Sequence, residues 1–327
     1  MMRCIISETG DPYFNLASEE YLLKEYRGDV FLLYRNDKSL VIGKHQNAMA
    51  EINHAFVLRR QLRVARRISG GGAVYHDRGN LNFTFITTGE EGKLVDYGTH
   101  ARPVIQALGN LGLEVRQGKR HELLLGNKKI SGMASHVFKN RVLHHGTLLF
   151  KTDLEALENA LTPEARNYED RAVRSIRSDV TNIADHLSDA MDIEGFRNHL
   201  LGHVLNTIDG AVRSRYSQEE IDAIRRLRLS RYATREWIYG YSPRYRLTRE
   251  IRRGIDKIVI HMMVEKGVIR EFSIEGVFGG RTPIRHLEEA LVGTFHDQET
   301  IRQRLSPLFT GDPEEEPGLE ALMAALF

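Results

Sequence analysis

The 327-residue chain has room for about two domains at roughly 150 residues each, and its 41% hydrophobic and 28% charged residues exclude wholesale disorder. Forty-six Lys and Arg against 44 Asp and Glu leave a formal charge of +2, too balanced to mark a nucleic-acid binder by composition. Cys4 is the single cysteine, which excludes a disulfide scaffold. Apolar runs break well short of the ~20 residues of a membrane span, and Glu8 follows the start too closely for a signal peptide, so a cytoplasmic protein is expected.

In chain order, residues 15–23 read as a helix, 30–34 and 39–43 as short buried strands, and 80–86 as an alternating strand. A helix over 102–111 ends near Gly112, Thr152-Asp153-Leu154-Glu155 opens another with a capping box, and Ser217-Gln218-Glu219-Glu220 opens a third. Strands and helices interleave without strict βαβ alternation, which predicts an α+β fold with a mixed β-sheet. After Trp237–Pro243 the texture changes. Strands over 257–264 and 268–274 flank Glu265-Lys266-Gly267, helix-like segments cover 283–295 and 298–308, and 311–317 reads as a solvated linker. A first domain over 1–245 and a smaller one over 246–327 are therefore expected.

The stretch Arg66-Arg67-Ile68-Ser69-Gly70-Gly71-Gly72-Ala73-Val74-Tyr75-His76-Asp77 carries the clearest chemical signal. Each glycine forgoes about 0.5–1 kcal/mol relative to alanine where the chain is ordered, so three in a row need an offset. A bare peptide loop lets N–H groups approach an anion, and the arginines with Ser69 suit a phosphate chain. A ligand loop is expected here; a flexible hairpin tip is the plainer alternative. In the next strand Leu81, Phe83 and Phe85 face one way and Asn80, Asn82 and Thr84 the other, toward either a polar contact or solvent.

His121–Gly132 reads as a hairpin turning at Gly126-Asn127. That register opposes Leu125 to Lys128, Leu124 to Lys129, Leu123 to Ile130 and Glu122 to Ser131, placing Glu122, Lys129 and Ser131 on one face. A lysine beside a carboxylate can neutralise phosphate oxygens while the carboxylate takes Mg²⁺; an exposed cross-strand ion pair is the alternative. His144 and His145 are neighbours on a strand and point to opposite faces, so they cannot grip one metal ion together; Thr147 shares the face of His145.

Together these segments resemble the lipoate–protein ligase A family of the biotin/lipoate ligase superfamily. The family's motifs are matched by Arg66–Asp77 with Gly79-Asn80, by Lys129-Ile130-Ser131-Gly132, by His144-His145-Gly146-Thr147 and by Ser175–Asn182. The resemblance implies a class II synthetase-like catalytic domain with a small α/β accessory domain. The implied reaction joins free lipoate to ATP with Mg²⁺, giving lipoyl-AMP and pyrophosphate, and then acylates a lysine of a lipoyl domain or glycine-cleavage H protein. It implies that Arg67, Ser69, Gly70, Gly71, Gly72 and Ala73 line the lipoate loop and that Tyr34 walls the acyl pocket. Lys129 would bridge the lipoyl carbonyl and α-phosphate, with His76 and Asn80 bordering the adenylate. Ser131, Gly132, His145, Gly146 and Thr147 complete the implied site, Arg177, Val180 and Asn182 belong to the adenylate loop, and Glu122 is the candidate Mg²⁺ ligand.

Two departures from the family pattern stand out: His121-Glu122 replaces its usual Asn-Asp, and His136 stands where an arginine is common. A lipoyl or octanoyl transferase of the same fold, or a non-catalytic lipoyl-adenylate binder, are the alternatives. Neither nucleic acid nor membrane is an expected partner, and a monomer is favoured. The helix over 221–232 carries Arg225, Arg226, Arg228 and Arg231, which either form a solvated face or steer acidic lipoyl domains.

Overall fold

The computed structural model describes residues 1–89, 94–163, 167–253, 256–276, 282–309 and 316–327. It divides into two compact units. The first comprises Met1–Lys44, Leu62–Asn159 and Ser175–Ala233; the second comprises His45–Gln61, Ala160–Arg174 and Thr234–Phe327. The division expected after residue 245 follows chain order, whereas compactness gathers two earlier segments with the C-terminal stretch. The reason is visible in the second unit: the strand Asn167–Asp170 pairs with Tyr245–Arg253, and Met49 joins the core beneath them.

The first unit is built on a 6-stranded mixed sheet, in the order Met133–Phe138, Arg141–Leu149, Asn80–Thr88, Asp29–Tyr34, Met2–Ser7, Ala211–Ser214. The first four strands run antiparallel to their neighbours, and the last three are parallel. Phe31, Leu33, Leu81, Phe83 and Phe85 form one core with Val104 and Leu108 of helix Tyr97–Gly109 and Phe196 and Leu200 of helix Ile193–Thr207. The other face meets helix Pro12–Lys24, whose start is set by the Asp11 carboxylate accepting from the Tyr13 N–H. Asn80, Asn82 and Thr84 are at most 2% exposed, so solvation of that face is excluded.

Two 3-stranded sheets flank this layer. One orders Arg63–Arg66, Ser39–Ile42 and Val74–His76, and the other Val115–Gln117, Leu123–Leu125 and Lys128–Ser131. The capping box expected at Thr152 shifts by one residue: Asp153 accepts from the Ala156 N–H and starts helix Leu154–Ala160. The box at Ser217 stands as expected, opening helix Gln218–Leu227.

In the second unit, strands Tyr245–Arg253, Asp256–Glu265 and Val268–Glu275 form a meander. Helices Ile284–Leu291, Gln298–Leu305 and Glu316–Leu326 accompany it, with Leu287, Leu291, Ile301, Leu305 and Leu322 in its core. The expected linker over 311–317 lies mostly outside the described residues.

Candidate active site

The glycine loop connects two strands of one small sheet, and its shape is held from inside by arginine. Arg67 is 6% exposed and donates from Nε to Ser69 Oγ at 3.0 Å, from Nη1 to the Val41 carbonyl at 3.0 Å, and from Nη2 to the carbonyls of Gly70 and Gly72 at 2.7 and 2.8 Å. Arg66, fully buried, donates to the carbonyls of Gly43 and Lys44. The arginines therefore shape the loop from within; they do not offer their donors to a phosphate. With its carbonyls turned onto Arg67, the loop leaves a peptide surface without side chains. Glycine is required at two places: Gly71 has φ +87°, and a Cβ on Gly43 would lie 2.1 Å from the Gly71 carbonyl oxygen. Burial lowers the Arg67 pKa to about 10, so it stays cationic at neutral pH.

The polar face of the central sheet continues the site. Thr84 lies opposite His145, and Asn82 lies opposite both Thr147 and Tyr34. Their shared anchor is Glu19, a buried carboxylate that the sequence patterns did not single out. It accepts from Tyr34 Oη at 3.0 Å, from Thr84 Oγ1 at 2.5 Å and from His145 Nδ1 at 3.0 Å. With Nδ1 donating to Glu19, His145 Nε2 is the acceptor for the Ser69 hydroxyl, 2.6 Å away. One chain of hydrogen bonds thus ties helix, sheet and glycine loop together. Because the same helix also buries Asn15, Ser18 and Glu20, no pattern in the sequence set Glu19 apart.

His144 points the other way, as expected from strand geometry. Its ring stacks on His100 with centroids 3.9 Å apart, and its Nε2 accepts from the Asp96 N–H.

The lysine hairpin departs from its expected register. Leu125–Lys128 and Leu124–Lys129 pair as predicted, but a bulge then sets Leu123 opposite Ser131, not Ile130. Ile130 thereby enters the core fully buried, and Glu122 falls outside the strand. The Glu122 carboxylate accepts from the Arg120 N–H at 2.7 Å, so it is held in a turn and not placed opposite Ser131. Lys128 is exposed. Lys129 is mostly buried, and its main chain is clasped by residues 179–181: its N–H donates to the Asp179 carbonyl, its carbonyl accepts from the Thr181 N–H, and it forms a bridge with Val180.

The Lys129 ammonium reaches back to Gly132, where a Cβ would come 3.2 Å from Nζ. It has no hydrogen-bond partner among the described residues, and burial lowers its pKa below the ordinary 10.5, opposed by Glu122 and reinforced by Arg120 and Arg67. Two residues beyond Gly132, Ala134 lies 3.9 Å from where a Cβ on Gly71 would be. The segment Gly132–Ala134 thus borders the ammonium at one end and the bare loop at the other.

Three further buried polar atoms have no partner among the described residues: His76 Nε2, Asn80 Oδ1 and Ser131 Oγ. The Asn36 amide donates to His76 Nδ1 at 2.9 Å, and burial lowers the ring's pKa to about 3. His76 is therefore neutral, with its Nε2–H unpaired. Such groups cost about 1–3 kcal/mol each if never satisfied, so each of these atoms has capacity for a further polar partner. Gly146 keeps the strand close, since a Cβ there would lie 2.6 Å from the Phe83 ring, and Thr147 Oγ1 accepts from the Gly132 N–H. The Ala73 N–H donates to Ser175 Oγ, joining the glycine loop to the segment that begins at Ser175. Arg177 is exposed, whereas the Asn182 amide is bound to both backbone groups of Thr152 and shapes the loop from its buried side.

No cluster of three or more His, Cys, Asp or Glu able to hold a metal alone occurs among the described residues. Glu122, whose carboxyl is held below its ordinary pKa, against its desolvation, by backbone N–H groups and the charges of Arg120 and Lys129, fits the sparser pattern in which one carboxylate and substrate phosphates share Mg²⁺.

Residues 11–205 match the family model "Lipoyl protein ligase A/B catalytic domain", and residues 242–318 match "Bacterial lipoate protein ligase C-terminus". The chain is 39% identical over 295 residues to lipoate-protein ligase LplJ of Bacillus subtilis (strain 168), covering 89% of each. Among solved structures it is similar to lipoate-protein ligase A bound with ATP (29% identity, TM-score 0.63, 73% of this chain and 98% of that one). It is also similar to a bi-partite lipoate protein ligase from Thermoplasma acidophilum, described with its E2 lipoyl domain (26% identity, TM-score 0.63, 77% of this chain and 98% of that one). With a family model spanning more than half its length and a relative this similar over nearly all of it, the chain belongs to the lipoate–protein ligase family.

Proposed function

We infer that this chain is an ATP-dependent lipoate–protein ligase that makes lipoyl-AMP and passes the lipoyl group to a lysine of a lipoyl domain or H protein. The observation that carries this reading is the Lys129 ammonium, desolvated and without a hydrogen-bond partner among the described residues, beside a glycine loop whose own cation is turned inward. In the first step a lipoate carboxylate oxygen attacks the α-phosphorus of ATP and pyrophosphate leaves. Two anions must be brought together there, and Lys129 neutralises the carbonyl and phosphate oxygens as charge builds. In the second step the acceptor amine attacks the acyl carbonyl and AMP leaves.

The remaining assignments follow from placement. Ser69, Gly70, Gly71, Gly72 and Ala73 present the peptide edge to the acyl and phosphate groups, with Arg67 and His145 holding that edge in shape. Tyr34 walls the acyl end; an eight-carbon chain buried at about 0.8 kcal/mol per methylene gains roughly 4–6 kcal/mol. His76 Nε2–H, Asn80, Ser131, Gly132, Gly146 and Thr147 border the adenylate, and Arg177, Val180 and Asn182 belong to the loop that covers it. Mg²⁺ held by Glu122 would supply further charge neutralisation at the phosphates. His136 supplies no fixed cation, because burial and Lys44 hold its pKa below the ordinary value. In functional terms we assign catalysis to 1–245 and an accessory role to 246–327, in a cytoplasmic monomer.

A cysteine-dependent acyltransferase is disfavoured: Cys4 is fully buried, and burial raises its thiol pKa to about 11, the opposite of an activated nucleophile. The deciding experiment is mass spectrometry of an unmodified lipoyl domain incubated with the protein, ATP, Mg²⁺ and free lipoate or octanoate. A lipoyl mass increment that requires ATP supports the ligase. An increment appearing only with an acyl-carrier donor would favour the transferase.

A further inference from the structure

Behind the active-site wall, a groove of about 900 Å³ opens at the C-terminal ends of the strands Met2–Ser7 and Ala211–Ser214. Its apolar lining includes Phe14, Ile221 and Leu229, and its walls carry Arg213, Arg215, Arg225 and Arg228. The basic helix face read from sequence is divided by the fold. Arg228 donates to Asp11 at 2.5 Å and Arg231 to Glu20 at 2.8 Å, so both are neutralised within the protein. Arg225 is exposed with only a loose 3.4 Å contact to Asp222. Arg213 and Arg215 come from a different element, the edge strand and the residue after it, are exposed, and form no ion pair among the described residues. Glu8 also lines the groove, 3.6 Å from Arg197, so three arginines from two elements leave it with an excess of positive charge.

The groove is joined to the active site. Ser7 lines it and pairs with Tyr34 across one strand. From Ser7 a buried chain of hydrogen bonds runs through Asn15 and Asn36 to His76, with steps of 2.6, 2.8 and 2.9 Å. A partner seated here is one strand away from the acyl pocket.

We propose that this groove docks an acidic segment of the acceptor domain bearing an apolar side chain, the carboxylates meeting Arg213, Arg215 and Arg225 and the apolar group entering between Phe14 and Ile221. This rests on the ligase reading, because the partner named is the protein that receives the lipoyl group. The groove shares no lining residue with the glycine loop or the Lys129 hairpin to which the ligase reading assigns the first-step substrates, and its apolar floor adds nothing to recognition of a nucleotide. Rim charges act mainly on association rate and its salt dependence, so the groove should govern acceptor encounter and leave activation untouched.

The test uses the full chain with Arg213→Glu and Arg225→Glu, singly and together, and an unmodified E2 lipoyl domain as probe. Lipoate-dependent pyrophosphate–ATP exchange reports activation, and calorimetric titration of the domain reports docking independently of any chemistry. The proposal expects the double variant to exchange at the wild-type rate, to bind the domain at least tenfold more weakly, and to raise KM for the domain with kcat little changed. Salt dependence of transfer should flatten, and Arg213→Lys with Arg225→Lys should restore it. Unchanged affinity and salt dependence, or a loss of exchange equal to the loss of transfer, would overturn it. Absence of exchange in the wild type would instead strike the ligase reading, while the titration still decides the groove.

Discussion

Lys129 bears a desolvated charge for which the folded protein supplies no hydrogen-bond partner among the described residues, and that has consequences for stability and rate. Its pKa is lowered in the folded state, so below that value both states are protonated and the fold carries the whole penalty. Between the lowered value and the ordinary 10.5 the unfolded chain holds the extra proton, and stability rises with pH. Lys129→Met is therefore expected to raise Tm at pH 7 while removing adenylation. In the wild type, adenylation should decline on the alkaline side through a pKa below 10.5, measured as the pH profile of pyrophosphate exchange. Glu19 presents the opposite case. Three donors converge on its buried carboxylate, and Glu19→Ala would leave Tyr34, Thr84 and His145 unpaired. A loss of about 3 kcal/mol or more in urea unfolding is expected, with Ser69 losing its fixed orientation. The place of Lys129 on its hairpin was legible from the turn residues. Glu19 was not, because a single buried carboxylate in a helix leaves no periodic trace until the sheet opposite it is known.

At the scale of elements, alternation and turn residues did most of the work. The strand Asn80–Thr88 was read with its two faces correctly sorted, since period-two patterning survives burial on both sides. The lysine hairpin was read from Gly126-Asn127, but its bulge was not, because the second edge of Lys128–Ser131 is paired with residues some 50 positions later in the chain, around Val180. Likewise the paired arginines looked like phosphate ligands, and only the folded loop shows their donors turned onto carbonyls. Glycines divide on the same principle. A methyl at Gly43 would collide with the Gly71 carbonyl, whereas Gly112, with φ +80°, has open space around it. Gly43→Ala should lower exchange activity by at least tenfold through displacement of the glycine loop. Gly112→Ala should cost about 1–2 kcal/mol of stability through its positive φ and leave exchange intact. Comparing kinetics with urea midpoints for the pair separates a contact from a backbone effect.

For the whole molecule, grouping by compactness differs from division by chain order. Residues 45–61 and 160–174 belong by compactness with the C-terminal stretch, a long-range pairing that no local pattern announces. The acid response is also a property of the whole fold. Burial lowers both His76 and His144 to about 3, against an ordinary 6.5. The folded state keeps both neutral while the unfolded chain protonates, so the stability they confer is complete above about pH 6.5 and is lost as pH falls toward 3. With His136 and His203 also held below their ordinary values, unfolding in that window should take up at least two more protons than carboxylates alone explain, and His144→Gln should reduce the uptake by about one, measured from the pH dependence of the urea midpoint.

The central claim is that an ammonium on one hairpin and a side-chain-free loop on another jointly activate lipoate on ATP. Its most direct test is the exchange of labelled pyrophosphate into ATP by the purified protein with Mg²⁺, with and without lipoate, in the wild type and in Lys129→Ala. The account predicts exchange that requires lipoate and falls by a factor of about 10² or more in the variant, the scale of losing a preorganised charge at the reacting phosphorus. Robust lipoate-dependent exchange by Lys129→Ala, with its fold intact, would contradict it.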